Sequence, residues 1–565
     1  MSIRRFCFAA ATLFAVSCAS DKIPDMDAGL SPERADVTIF TGGPIYTGDE
    51  ENPTVEAVAV ANGAIVAVGT RDIVERGASG DVAIVDLEGA AMYPGFTDAH
   101  AHLIGIGMRE LTLNLEGVSS VAELVSIVAA NAQRAGDGET VYGRGWIETG
   151  WPEERMPNRI DLDPVSRNNP VVLYRADGHA AVVNSAALEK AGIDDTTRDP
   201  DGGRIDRDQY GRATGILIDK AMGLVAGLVE APSSAQKREA YEKGSEVYAA
   251  YGWTGLHNMS VDPADVSIME DLSADGALDI RVYNALDRAG FDMLEASGPR
   301  ASDNVKIITR TIKLYADGAL GSRGALLADP YSDAPDTSGL LLLPEEAAKD
   351  YLNRAIPAGI QIVTHAIGDR GNTLVLDWYE ETFAQNQDAG DLRWRIEHAQ
   401  ILDTDDIPRF AALGVIPSMQ PSHAIGDLFF APDRLGRDRL DGAYAWRALI
   451  DAGAIIAGGS DAPVERGDPL IEFYAAVARR GLDGTQTQDW RPAQAVTREE
   501  ALKMFTAWPA HASFQEGLLG TIAPGKRADF TVFSKDIMTV PEAEILTAKP
   551  VMTVIDGEIV FRSGE

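Results

Sequence analysis

Two histidines one residue apart, His100 and His102, end a run over residues 93–102 that begins with apolar residues and a Pro-Gly step. The run reads as a buried strand, in which side chains i and i+2 share a face, so both imidazoles project the same way. That arrangement is a preformed pair of metal ligands. An isolated His-x-His serves equally well as two surface histidines beside a turn, so partners elsewhere must decide. They recur in the same setting. His365 ends the run 359–365, His398 ends 394–398, and Asp461 ends the apolar run 454–461 before a Pro-containing loop. Lys313 lies in a strand-like run over 305–318. The chain has eight histidines, and four of them fall in this pattern. Four strand-terminal histidines with a strand-terminal Asp read as a metal site, where a single one would read as structural.

These residues need a scaffold that brings distant strand ends together. In a parallel α/β barrel the C-terminal strand ends converge on one face, where active sites of that fold are built. Strand-like runs alternate with helical stretches, as βα units require. Strand one is expected to end at His102, two at His257, three near Tyr283 and four near Lys313. Five and six end at His365 and His398, seven spans 415–420, and eight ends at Asp461. The gap from about 110 to 250 is too long for one crossover and is expected to be an insertion. Short apolar runs over 36–93, with the hairpin signal Asn62-Gly63, share their character with 517–565. The two ends are read as halves of one small β-sandwich. The expected fold is thus α/β: a (β/α)8 TIM-like barrel over 94–516 with a large insertion, plus that sandwich.

The order His-x-His, Lys, His, His, Asp resembles the amidohydrolase superfamily of metal-dependent hydrolases. The stretches 363–369, 394–400 and 459–464 are similar to its family 3, YtcJ-like branch, and 517–530 looks like that family's passage from barrel to β-domain. The resemblance implies that His100 and His102 with Asp461 hold one ion and His365 with His398 another. Lys313 occupies the slot where related enzymes carry a carboxylated lysine bridging both ions; an ion pair with Asp317 is the alternative, and with it a single-ion site. Asp461 would take the water's proton and pass it to the leaving nitrogen. The implied reaction is hydrolysis of a linear C–N amide bond by a metal-activated hydroxide. Cyclic amide hydrolysis or deamination on the same site is the alternative, and a lipoprotein that binds ligand without turnover is a different class.

Four further residues are candidate substrate contacts. His179 lies in the insertion, which the resemblance folds over the barrel mouth. Trp146, with Trp151 and Tyr174, would form an apolar wall or else pack in a core. Arg323 would bind a substrate carboxylate or pair with a loop acid, and His423 follows strand seven.

A formal charge of −36 excludes the basic footprint that nucleic acid demands. The two cysteines, Cys7 and Cys18, both lie in the first 18 residues. Metal ligation in the body therefore falls to N and O donors, which suit zinc, with manganese, iron or cobalt as alternatives. Arg4 and Arg5 precede an apolar run over 6–16 that ends at Ser17-Cys18, which resembles a bacterial lipoprotein signal. An ordinary secretory signal is the alternative, and the residues after the Arg pair match a twin-arginine signal poorly. Residues 19–35 read as a tether. The chain is expected in the bacterial cell envelope, meeting the membrane only through this N-terminal lipid anchor. Its expected partner is a small-molecule amide, with a homo-oligomer left open.

Overall fold

The computed structural model describes residues 37–148, 151–176, 178, 180–200 and 202–564. The expected signal and tether, and His179, lie outside the described residues. Eight parallel strands form the central sheet: β1 (Phe96–Ala101), β2 (Trp253–Val261), β3 (Arg281–Leu286), β4 (Ile307–Tyr315), β5 (Gln361–Ala366), β6 (Arg395–His398), β7 (Ile416–Met419) and β8 (Ala457–Gly458). They hydrogen-bond in sequence order, each to the next. β8 is short, and the chain just beyond it closes the ring. The Asp461 N–H donates to the His100 carbonyl at 2.6 Å, and the His102 N–H donates to Ala462 at 2.8 Å. Gly459 permits this approach, since a Cβ there would lie 2.5 Å from the His100 nitrogen. The buried Asp98 carboxylate, on β1, accepts the Ser460 N–H at 2.9 Å and its hydroxyl at 2.6 Å, which ties the same seam.

Between β1 and β2 the chain first forms a helix, Leu103–Leu111, and later returns on a helix, Ser234–Tyr251. A capping box of Ser233 and Gln236 starts the second helix, and Gly252 at φ +102° ends it. The two helices pack closely at Gly107, where a Cβ would lie 1.7 Å from the Ala240 carbonyl oxygen. The residues between them build a six-stranded sheet running in the order Gly203–Arg207, Ala213–Asp219, Ala180–Val183, Val171–Arg175, Val141–Trp146, Leu113–Asn114.

This sheet corrects one expectation. Trp146 is not part of a substrate wall: it is fully buried among Leu124, Leu162, Leu173 and Trp151, and its indole N–H donates to the Leu173 carbonyl at 2.9 Å. A large aromatic with its one polar atom satisfied is more stable in a core than at a wet mouth.

Strands from both chain ends share an eight-stranded sheet, in which Phe530–Phe533 runs antiparallel to Ala91–Pro94. The hairpin Thr54–Ala61 to Ala64–Gly69 turns at Asn62 and Gly63, with φ +52° and +74°. Two positive φ values are what a two-residue turn matched to strand twist requires. Arg281 on β3 fastens this sheet to the barrel floor, with Nε 2.6 Å from Asp529 and Nη2 2.5 Å from Asp556. Arg281 and Asp529 are both buried. Arg281→Met is therefore expected to strand the Asp529 carboxylate and cost about 3–5 kcal/mol, read as a lower urea midpoint at unchanged slope. An unchanged midpoint would show that the pair contributes nothing net. Among the described residues, no helix is long and apolar enough to cross a membrane.

Candidate metal centre

The barrel brings His100, His102, Lys313, His365, His398 and Asp461 from β1, β4, β5, β6 and the end of β8 to one face. His100, His398 and Asp461 each place a donor atom within 4.8 Å of the others. The His398 ring lies 4.7 Å from that of His100 and 4.6 Å from that of His365. Lys313 Nζ is 3.4 Å from His100 Nε2. His398 and Asp461 have φ of +73° and +62°. Strand alternation sends neighbouring side chains to opposite faces, and these left-handed residues are where the chain departs from it. Such backbone costs about 1–3 kcal/mol per residue and persists where the surroundings hold it.

Hydrogen bonds on the outer ring nitrogens decide what each imidazole presents inward. The Glu397 carboxylate faces His100 Nδ1 at 2.5 Å, the Met259 carbonyl faces His102 Nδ1 at 3.0 Å, and Gln420 Oε1 faces His398 Nδ1 at 2.8 Å. The Gln420 amide nitrogen donates to Ser418, which turns its oxygen to His398. All three partners are acceptors, so each Nδ1 carries the proton and each Nε2 is left with its lone pair. His365 is reversed. Its Nε2 lies 3.4 Å from the Gly318 carbonyl and 3.5 Å from the Asp317 carboxylate, which leaves Nδ1 as its lone-pair atom.

These lone pairs meet another acceptor. His102 Nε2 is 3.0 Å from Asp461 Oδ1, and His100 Nε2 is 3.5 Å from the same oxygen. A cation between these groups relieves the contact, as does a proton on the His102 ring, and the N/O donor set fits a divalent metal.

Burial shapes the charges further. It pulls His100 down to about 4 and His365 to about 3, with the Lys313 ammonium adding to both, and it holds His398 well below the usual range with help from His365. The rings are therefore neutral, as ligation requires. Burial also lowers Lys313 to about 8, against the opposing pull of Glu397 and Asp461. For Asp461 burial acts upward, but His100, His102 and His398 outweigh it and keep the carboxylate ionised.

The remaining candidates divide. Lys313 makes no ion pair with Asp317, whose carboxylate accepts the N–H groups of Leu326, Ile367 and Gly368 at 2.8–2.9 Å. Arg323 is spent on Asp333, with two bonds of 3.0 and 2.8 Å, the loop-acid alternative to a substrate carboxylate. His423 lies against the site, its Nε2 3.7 Å from Asp461 Oδ2. Gln400 donates to His423 Nδ1 at 3.1 Å, so this ring turns an N–H inward where the others turn lone pairs. That nitrogen is buried and has no hydrogen-bond partner among the described residues. His257 sits deeper, receiving Arg395 Nη1 at 2.7 Å.

Sequence reasoning assigned no role to Glu397, Gln420, the Met259 carbonyl or Tyr315. Tyr315 is the aromatic at the mouth: 37% exposed, its ring 5.4 Å from that of His365 and 5.1 Å from Lys313 Nζ, and its hydroxyl bonded to Ser260. Its place at the end of β4, two residues after Lys313, was the available signal.

The chain is similar to known proteins over most of its length. The sequence model described as Amidohydrolase family matches residues 83–561. YtcJ of Bacillus subtilis (strain 168) is 34% identical over 93% of this chain and 99% of its own. The N-substituted formamide deformylase of Arthrobacter pascens is 29% identical over 91% of this chain and 96% of its own. A crystal structure of an uncharacterized metal-dependent hydrolase from Pyrococcus horikoshii OT3 superposes with a TM-score of 0.73 at 27% identity, covering 90% of this chain and 99% of that one.

Proposed function

The chain belongs to the amidohydrolase family of metal-dependent hydrolases, and we propose that it cleaves a linear C–N amide bond, as in N-acyl or N-substituted amides. The observation that carries a catalytic reading is the convergence of the His102 and His100 Nε2 atoms on the Asp461 carboxylate, with a ring nitrogen of His398 within 4.8 Å and the His423 Nε2 beside them. The deformylase relative supports the linear substrate class.

His100, His102 and Asp461 would hold one divalent ion, zinc by donor type, and His365 with His398 a second. Bound there, such ions polarise a carbonyl and lower the pKa of water to roughly 7. Lys313, its pKa lowered to about 8 by burial, would combine as the free amine with carbon dioxide to give a carbamate and a released proton, and the carbamate oxygens would then complete the set of residues able to hold the ions. Asp461 takes a proton from the attacking water and returns it to the leaving nitrogen, so amide and water become carboxylate and amine. The inward N–H of His423 bonds the developing oxyanion. Tyr315 offers the acyl group a flat wall. The reading extends to location: export through the N-terminal segment and a lipid on Cys18.

The test is a panel of linear N-formyl and N-acyl amines, cyclic imides and aminated heterocycles. Equal release of amine and carboxylate from the linear amides is expected. Ring opening or ammonia release in their place would move the activity to the alternative class. No turnover after zinc or manganese is supplied would leave a binding protein.

A further inference from the structure

Behind His100, on the side away from the other donors, lies a pair of buried charges. Glu397 and Arg395 stand two residues apart on β6 and therefore share a face of that strand. Both are completely buried. Glu397 Oε2 is 2.5 Å from His100 Nδ1, and its other oxygen is 2.7 Å from Arg395 Nε. Arg395 Nη2 also donates to Glu397 at 3.0 Å, to the Ala99 carbonyl at 2.6 Å and to the Ser418 hydroxyl at 2.8 Å. Its Nη1 donates to His257 at 2.7 Å. One guanidinium thus spans β1, β2, β6 and β7.

A buried carboxylate and a buried guanidinium are each costly to desolvate, and two apolar side chains would fill the same volume without that penalty. Strand alternation needs neither charge. Their arrangement does have one directional consequence, which is that His100 can carry its proton only on Nδ1.

We propose that Glu397 is a positioning residue for the metal centre: it locks His100 in the Nδ1–H tautomer with Nε2 facing the ion, and Arg395 holds Glu397 in place as an anion. Glu397 is no ligand itself, because it stands on the Nδ1 side of the imidazole, with Oε2 against His100 and Oε1 in ion-pair contact with Arg395. Its negative charge strengthens His100 as a donor, while Arg395 cancels that charge within the barrel. The proposal rests on the metal-centre reading above.

The test compares the intact chain with Glu397→Gln, Glu397→Leu and the double variant Arg395→Met, Glu397→Leu. Gln keeps an acceptor for Nδ1–H without the charge, and Leu removes the acceptor. The double variant removes both charges and so leaves no stranded cation to impair folding. The readouts are zinc affinity by chelator competition and the visible absorption of the cobalt-loaded protein, each on material with a cooperative melt. Glu397→Leu and the double variant are expected to bind zinc on the order of 100-fold more weakly, with an altered cobalt spectrum. Glu397→Gln should recover most of that loss, which a merely space-filling role would not produce. Wild-type affinity and spectrum in the double variant would overturn the positioning role and leave the metal centre standing. Wild-type chain that takes up neither metal would overturn both readings.

Discussion

Asp461→Asn is expected to lower amide hydrolysis by about 10²–10⁴-fold while leaving most of the metal in place. The carboxylate stands where two demands meet. One oxygen lies 3.0 Å from His102 Nε2 and 3.5 Å from His100 Nε2, in the position of a shared ligand. The other lies 3.7 Å from His423 Nε2. Asn has the same shape and keeps one oxygen for ligation, but it has neither the charge nor the basicity to remove a proton from water. His100, His102, His365 and His398 remain to hold the ions, so metal content should fall little as turnover collapses. Elemental analysis beside initial rates on a linear N-acyl amide separates the effects. Unchanged turnover would take Asp461 out of proton transfer, and loss of metal in proportion to rate would make it a ligand alone.

Chelation is expected to abolish turnover, and resupply of zinc or manganese to restore it, with about two ions per chain in the reconstituted protein. Lys313→Met should then bring the content to about one ion and remove most of the activity. The lysine is fully enclosed, 3.4 Å from His100 Nε2 and under the ring of Tyr315, and among the described residues no carboxylate pairs with it. An ammonium in that place repels a cation, whereas a carbamate supplies oxygen donors to two. Methionine fills a similar volume and does neither, so the comparison tests the group's chemistry more than its size. Equal ion content in the wild type and Lys313→Met would make Lys313 a structural residue beside a single ion.

Much of the site was legible in the sequence because its residues end strands. His100, His102, His365, His398 and Asp461 each close an apolar run, and the alternating apolar runs and helical stretches require the barrel that gathers such ends. The Asn62-Gly63 turn was legible for a similarly local reason, because two positive φ values in a row favour those residue types.

What went unread depended on contacts between distant segments. Trp146 had two readings until the sheet of residues 113–219 enclosed it, since an aromatic carries the same local signal in a core as in a wall. A protein carboxylate was one of two readings for both Arg323 and Lys313, and among the described residues the fold supplied Asp333 to the first and no ion pair to the second. Glu397 was invisible as a positioning group because its partner is 297 residues away on β1.

The sequence by itself determined the ligand types and the strand ends that carry them, through local periodicity and turn chemistry. Only the tertiary structure decided which nitrogen of each histidine faces the centre, because that choice belongs to the acceptor on the other side of the ring.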